Sequence, residues 1–409
     1  MAVGSPFFSS LPLQQHGLQW IQPSAPMAHP LDDGTAVILE RDFGEMERQL
    51  GDDGHAWHRL MQPFADDWER LAAQILRPVS LFPSTPWLMA RLGVISLSSA
   101  NAIANRLFKR ERAKALFAGL AAHSFLALDE PLSAAIGVIL GAASHAVGWP
   151  IPRGGAQSIT DALIGYLQSQ GGTLQSSCPI RSTNDLPACD LTMWDVSPRA
   201  LASAADGRLS ASFKRQLADY RYGPGVFKVD FALSQPIPWK ALEVLRAGTI
   251  HIGGTLEEIA ASEYASRHGR VAERPFILLS QPTLFDETRA PEGKHVAWAY
   301  CHIPNGSTFD MLDRIESQIE RFAPGFRDCV LARSVFTPSR LQSMNANLIG
   351  GDIAGGAPTL KQFIFRPTWR GYATSAPDIY LCSASTPPGA GVHGMCGYNA
   401  AHLALSRLR

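Results

Sequence analysis

Hydrophobic positions along this chain repeat with two different periods. At Gly225–Leu233, Val226, Lys228 and Asp230 fall on one side, and Phe227, Val229 and Phe231 on the other. A period of two predicts a half-buried antiparallel strand. Thr249–Ile252, Phe276–Leu279 and Val296–Tyr300 read as further strands. His29–Leu39 reads as a hairpin turning at Asp33-Gly34. Between Asp53 and Leu76 the apolar spacing becomes helical, with Pro63 as an interruption. Trp57, Leu60, Phe64, Leu71 and Ile75 form its apolar face. Residues 77–150 read as a helical block with proline breaks. Within it, Leu132–Ile151 carries no charge. Its Ser144, His145 and small residues, with prolines at 131 and 152, favour a buried helix over a membrane span. Thr255-Leu256-Glu257-Glu258 is a capping box. Pro304–Ser307 is expected to cap a helix carrying Leu312, Ile315, Ile319 and Phe322. A mixed sheet between helices is the expected result.

The C-terminal pattern differs. Ile379–Leu381 is a short buried strand, and Pro387 and Pro388 stop it. Gly389, Gly391 and Gly394 follow, and Val392 to the end reads as a helix. A strand that turns through glycines into a helix gathers unpaired N–H groups at one point, where a ligand can approach the backbone. Gly389–Gly394 also spells G-x-G-x-x-G. The dinucleotide fingerprint needs a further strand and an acidic residue about 20 positions on. Here Arg409 follows after one helix, so the unit closes a sheet. The plain alternative is a glycine-rich turn without a ligand.

The chain has 409 residues, enough for two or three domains, and equal numbers of basic and acidic residues, 36 each. That balance gives no support to nucleic acid as a partner. The six cysteines form no metal-binding spacing and read as reduced, mostly buried thiols of a cytoplasmic protein. Met1–Ser10 lacks the features of a signal peptide. A serine hydrolase is disfavoured by the lack of a G-x-S-x-G elbow. His55 and His58 share a helix face without a third metal ligand and read as surface residues. Cys301 and His302 are neighbours on a strand and point apart, so they read as a core cysteine and a loop histidine. Lys109-Arg110 reads as part of a solvated helix face. The sharper alternative is a lid touching membrane headgroups.

The run Tyr380–Gly397 resembles the C-terminal flavin-binding motif of phytoene desaturase-like FAD-dependent oxidoreductases, in the amine-oxidase-like flavoprotein superfamily. Pro152-Arg153-Gly154-Gly155 resembles the family's Pro-x-Gly-Gly turn, and 350–356 its double-glycine loop. The resemblance implies an α/β fold with two interleaved domains and FAD as cofactor. Substrate-domain pieces would be 1–151, with the helical lid, and 201–344. FAD-domain pieces would be 152–200 and 345–409. Cofactor contacts implied by the resemblance are Gly154, Gly155, the backbone of Ile180 in a strand against the adenine, Ser385, Thr386, Pro387, Gly389, Gly391, Val392, His393 and Gly394. His393 is expected in the first turn of the last helix, whose N-terminus should lower its pKa. It reads as a neutral imidazole that packs or caps. No catalytic residue is assigned, because the flavin carries the chemistry in this family. A Cβ on Gly391, as in Gly391→Val, is expected to press on the cofactor. The expected substrate is small and apolar, of polyene or isoprenoid type, with peripheral membrane contact. The apolar start at Ala2-Val3 resembles the middle of a family core, and the first βαβ unit with its G-x-G-x-x-G is expected to be missing. The alternative to an enzyme is a remnant that binds no FAD and serves as a scaffold.

Overall fold

The computed structural model describes residues 1–80 and 82–408. Leu81 and Arg409, which fall in the expected helical block and closing helix, lie outside the described residues. The strands used below are β1 (Ala25–Pro30), β2 (Ala36–Leu39), β3 (Thr192–Trp194), β4 (Gly225–Leu233), β5 (Ala247–Ile252), β6 (Ile277–Ser280), β7 (His295–Ile303), β8 (Val330–Phe336) and β9 (Ile379–Leu381). The helices are α1 (Gly54–Asp66), α2 (Trp68–Ile75), α3 (Pro86–Ser96), α4 (Ala100–Leu107), α5 (Glu111–Ala122), α6 (Ser133–Ala146), α7 (Gln157–Ser169), α8 (Leu256–Arg267), α9 (Leu312–Phe322) and α10 (Met395–Leu408).

A seven-stranded sheet runs in the order β8-β4-β7-β6-β5-β1-β2. Its pairs are antiparallel except β1 with β5. The alternation in β4 does what the sequence expects. Phe227, Val229 and Phe231 are buried in the cluster that includes Ile315, Ile319 and Phe322 of α9. Each such side chain is worth roughly 1.5–3 kcal/mol relative to exposure. The other side of the sheet packs Met27, Val37, Leu39 and Leu278 with α1, α5 and α6. The hairpin turns at Gly34, whose φ of 82° suits glycine. Uncharged α6 is buried, and no helix among the described residues is long and apolar enough to cross a membrane.

Several local expectations change. The helical stretch after Asp53 is two helices, and the break falls at Asp67 rather than Pro63, which lies inside α1. Thr255 Oγ1 does accept the N–H of Glu258, at 3.3 Å. Glu258 completes no reciprocal box, since its carboxylate is drawn to Arg274 and Arg321 at 2.9 and 3.0 Å. Pro304–Ser307 is a turn before α9, and the Asp310 carboxylate takes the N–H of Leu312. Residues 173–181 form an exposed loop, so Ile180 lies in no strand. The N–H groups of Lys109 and Arg110 are held by the Asp53 carboxylate just before α5, and Arg110 pairs with Asp52. They are therefore a helix entry, not a helix face. Cys178 and Cys189 are exposed.

His302 is the largest departure. It is no loop residue: it is buried in β7, with Nδ1 2.7 Å from the Glu263 carboxylate of α8. His29 on β1 and His251 on β5 are buried with it. His251 Nε2 lies 2.9 Å from Nε2 of His123 at the end of α5. In α6, His145 Nε2 accepts the indole N–H of Trp57 at 3.0 Å, while Nδ1 lies 2.9 Å from the Arg41 carbonyl.

Candidate functional site

β9 lies parallel to β3, with Ile379, Tyr380 and Leu381 opposite Thr192, Met193 and Trp194. The ladder extends one bond further, from the Cys382 N–H to the Trp194 carbonyl. The chain then enters a turn that runs to Gly394. Thr386 Oγ1 donates to the Ser383 carbonyl at 2.7 Å, and Tyr372 to the Pro387 carbonyl at 2.8 Å. Positive φ values of 108°, 139° and 65° at Gly389, Gly391 and Gly394 set the path. Helix α10 begins at Met395, later than the sequence expects, so His393 precedes it.

His393 caps this helix. Its Nδ1 accepts the Met395 N–H at 3.0 Å, one of the donors a helix start leaves open. Its pKa is lowered chiefly by burial, not by the helix terminus, and the neutral ring is the form that can accept. His393→Ala should therefore cost about 1 kcal/mol, read as a lower urea midpoint with an unchanged slope. The Ser5 hydroxyl holds the His393 carbonyl at 2.6 Å. A Cβ on Gly394 would lie 2.6 Å from the rings of Phe7 and Phe8. A Cβ on Gly391 would meet the residue's own neighbour, the His393 ring, at 2.8 Å. Gly391→Val thus strains the turn with or without a ligand and is not a clean test of cofactor contact.

The glycine loop at 350–356 braces the turn from the other side. Ser385 and Tyr220 hydroxyls both donate to the Gly355 carbonyl at 2.7 Å. Arg366 donates to the Ala354 carbonyl, and its Nη1 would lie 2.9 Å from a Cβ on Gly389. Asp352 is fully buried and accepts the N–H groups of Gly223 and Ala354. Burial raises its pKa. Between loop and turn lies a cleft of about 180 Å³, lined by Asp195, Ser197, Asn347, Asp352, Ser383 and Ser385. Arg366 Nε and His393 Nε2 are buried without a hydrogen-bond partner among the described residues. Val392 is 58% exposed at the same turn.

The second glycine pair lies elsewhere. The Gly154 N–H donates to the Asp286 carboxylate at 2.7 Å, and Arg289 fills the space over Gly155. Arg289 also lines a cleft of about 500 Å³ on the sheet, with Lys228, Asp230, Trp298, Arg333 and Ser334. Gly155 therefore packs under a side chain that lines this cleft. No hydrogen bond among the described residues joins Gly154, Gly155 or Ile180 to the C-terminal turn. Sequence reasoning missed Ser5, Tyr220 and Arg366. Each lies far along the chain from the turn it braces and carries no local motif.

No family model matches the chain. It is 28% identical over 295 residues to rat pyridine nucleotide-disulfide oxidoreductase domain-containing protein 2, covering 66% of this chain and 50% of that protein. It is 25% identical over 303 residues to a lycopene-forming phytoene desaturase of Pantoea ananas, covering 67% of this chain and 60% of that one. The chain thus spans about half the length of the rat relative. Among solved structures, an oxidoreductase from Methanosarcina mazei matches with a TM-score of 0.62 at 16% identity, covering 98% of this chain and 85% of that one. A putrescine oxidase variant matches with a TM-score of 0.59 at 13% identity, covering 99% and 86%. The expected mixed α/β architecture is found, and these solved oxidoreductases share it.

Proposed function

We propose that this chain, similar in sequence to phytoene desaturase-like proteins and sharing the fold of amine-oxidase-like flavoproteins, is an FAD-dependent oxidoreductase acting on an apolar substrate. The observation that carries the reading is the closing strand, turn and helix. The turn exposes Ala390, Gly391 and Val392, and two buried polar atoms, Arg366 Nε and His393 Nε2, lack partners among the described residues. A planar, hydrogen-bonding ring system fits such a surface. Ser385, Thr386, Pro387 and Gly389 to Gly394 would hold it, and FAD bound there supplies an acceptor for hydride. The helix start favours negative charge at the turn, and His393 fixes the geometry of that start. The cleft at Trp298 would take the substrate. Trp298 lines it and is backed by Tyr300, with ring centres 6.2 Å apart, so a flat aromatic face would meet a flat, conjugated body. Relatives named as phytoene desaturases make a long polyene the first substrate to try. A scaffold without cofactor finds no support in relatives named as oxidoreductases.

The phosphate end of FAD is less well served. The parallel sheet holds two strands among the described residues, and the Gly154 N–H is already taken by Asp286. A helix start after a strand is the usual pyrophosphate site, and the closing unit is committed to the ring. A polypeptide of these 409 residues should therefore bind FAD but release it on desalting. Fluorescence titration with FAD tests the assignment, comparing wild type with Val392→Asp. The variant should bind at least about tenfold more weakly, since a carboxylate there would itself be drawn to the helix start and compete with the ring for it. Equal affinities would remove the ring from this turn. Stoichiometric FAD after desalting would show that the phosphates have a strong site in these residues.

A further inference from the structure

The part of the surface between α2 and α4 departs from the rest of the molecule in two independent ways. First, it exposes large apolar side chains. Val79 is 58% exposed, Phe82 88%, Trp87 88%, Val94 69% and Leu97 81%. In α3, positions 87, 90, 94 and 97 share one face by helical spacing. The opposite face carries Leu92 and Ile95, both buried in the main core. The helix is thus apolar on both sides, yet only one side has a partner. A soluble surface helix ordinarily turns charged residues outward. Scattered exposed apolar residues need no explanation, but five within 19 positions form a patch.

Second, the charge of this segment is one-sided. From Arg70 to Arg110 the sequence holds Arg70, Arg77, Arg91, Arg106, Lys109 and Arg110, and no aspartate or glutamate. The chain as a whole balances 36 basic against 36 acidic residues. Asp67 pairs with Arg70, and Asp52 with Arg110. Arg77, Arg91, Arg106 and Lys109 enter no ion pair among the described residues. The carboxylates that flank the segment in sequence are Glu69 and Asp66, at the surface before it, and Glu111 directly after it, whose carboxylate takes the Leu256 N–H; Asp53 binds the N–H groups before α5.

We propose that α3 and the segment leading into it are a docking surface for an anionic lipid bilayer, with Phe82 and Trp87 entering the headgroup–acyl boundary. Aromatic side chains are favoured at that depth. Arginines in the same segment that pair with no carboxylate are attracted to an anionic leaflet. A second copy of this chain offers no excess of carboxylates to these cations, since its basic and acidic residues balance at 36 each. Helix α3 lies flat on α6 by its Leu92 and Ile95 side, so the surface enters one leaflet and does not span. The docking relocates the membrane contact expected at Lys109-Arg110 by about two helices. It stands apart from the redox reading, because neither Phe82 nor Trp87 belongs to the cofactor turn or the sheet cleft.

The test is co-sedimentation of the full chain with sucrose-loaded vesicles. One set contains phosphatidylcholine alone, the other adds 30 mol % phosphatidylglycerol as about a third of the lipid. The proteins are wild type, Phe82→Ser/Trp87→Ser and Arg77→Gln/Arg91→Gln. Wild type should bind the anionic vesicles, lose most binding at high salt, and bind phosphatidylcholine at least about tenfold less. The serine pair should lose about tenfold or more on anionic vesicles, and the glutamine pair several-fold. Phe82, Trp87 and Arg91 are exposed and Arg77 is half-buried, and an unchanged thermal midpoint will show that folding is intact. Absence of wild-type binding, or equal binding by all three proteins, would overturn the proposal. So would a wild-type dimer in size-exclusion chromatography that the serine pair converts to monomer, because the patch would then be covered by a second copy. Flavin content plays no part in the readout, so failure here leaves the oxidoreductase assignment untouched.

Discussion

Lowering the pH from 7 to about 4 should unfold the seven-stranded sheet and its helices. Burial holds the pKa of His29 and of His145 down to about 4, and that of His123 to about 3, against an ordinary value of 6.5. His251 is also held well below 6.5, by burial first and then by His123 and His29. Between pH 6.5 and about 4 the unfolded chain binds protons that the fold refuses. Stability is therefore complete above 6.5 and is lost as pH falls through that window. At pH 4 His29 alone costs about 3 kcal/mol, and His145 about the same. His123 and His251 add to this, although their facing nitrogens make them titrate as one unit. A domain with 5–15 kcal/mol of total stability does not survive such a loss. The hydrogen bonds give the same sign. A proton on His145 Nε2 would displace the Trp57 N–H, and the ring lies in the core with nowhere to turn. Tryptophan fluorescence and near-ultraviolet circular dichroism should show one cooperative transition ending near pH 4. A native spectrum retained at pH 3.5 would refute it.

Gly355→Val should be strongly damaging in the loop that braces the proposed flavin turn. Gly355 has φ 66°, where a β-branched residue costs about 1–2 kcal/mol. Its new Cβ would also sit 2.9 Å from the Ala384 Cβ and 3.0 Å from the Ala384 carbonyl carbon. Backbone cannot give way as a side-chain tip can, and overpacking of this kind adds about 1–3 kcal/mol. The total, about 3 kcal/mol, falls on the contact where Ser385 and Tyr220 both meet the Gly355 carbonyl. Loss of that brace frees the turn, so FAD affinity should drop more than tenfold while the sheet stays folded. Urea unfolding followed by sheet and turn probes, with FAD titration, separates the two effects. An unchanged FAD affinity would mean that loop and turn act independently.

How far the sequence foretold this arrangement depends on the range of the interactions involved. Alternation in β4 and the hairpin at Gly34 are set by neighbours within a few residues, and both were legible. So was the pairing of a closing strand with a helix, because proline and glycine punctuate it. The start of α10 was not, since it depends on His393 turning its ring to the Met395 N–H. Glu258 matched a capping box by spacing, but Arg321, from a helix 63 positions away, offered a stronger partner. His302 looked like a loop residue because β7 is longer than its hydrophobic run. Its place is fixed by Glu263, which spacing alone could not connect to it. Gly154 and Gly155 were legible as a close approach of backbone. That Asp286 and Arg289 would be the approaching groups was not.

The bond from the Ser5 hydroxyl to the His393 carbonyl spans 388 positions of sequence. Its consequence concerns synthesis. The hairpin near the start, and most of the large sheet, can pair while the ribosome is still elongating. The turn beside His393 cannot be completed until α10 has emerged and reached back to Ser5, made 388 positions earlier. Contacts of such separation pay their loop-closure entropy late. Ligand capture should therefore follow folding of the sheet, and nascent chains stalled before residue 380 should show native sheet structure but no affinity for flavin.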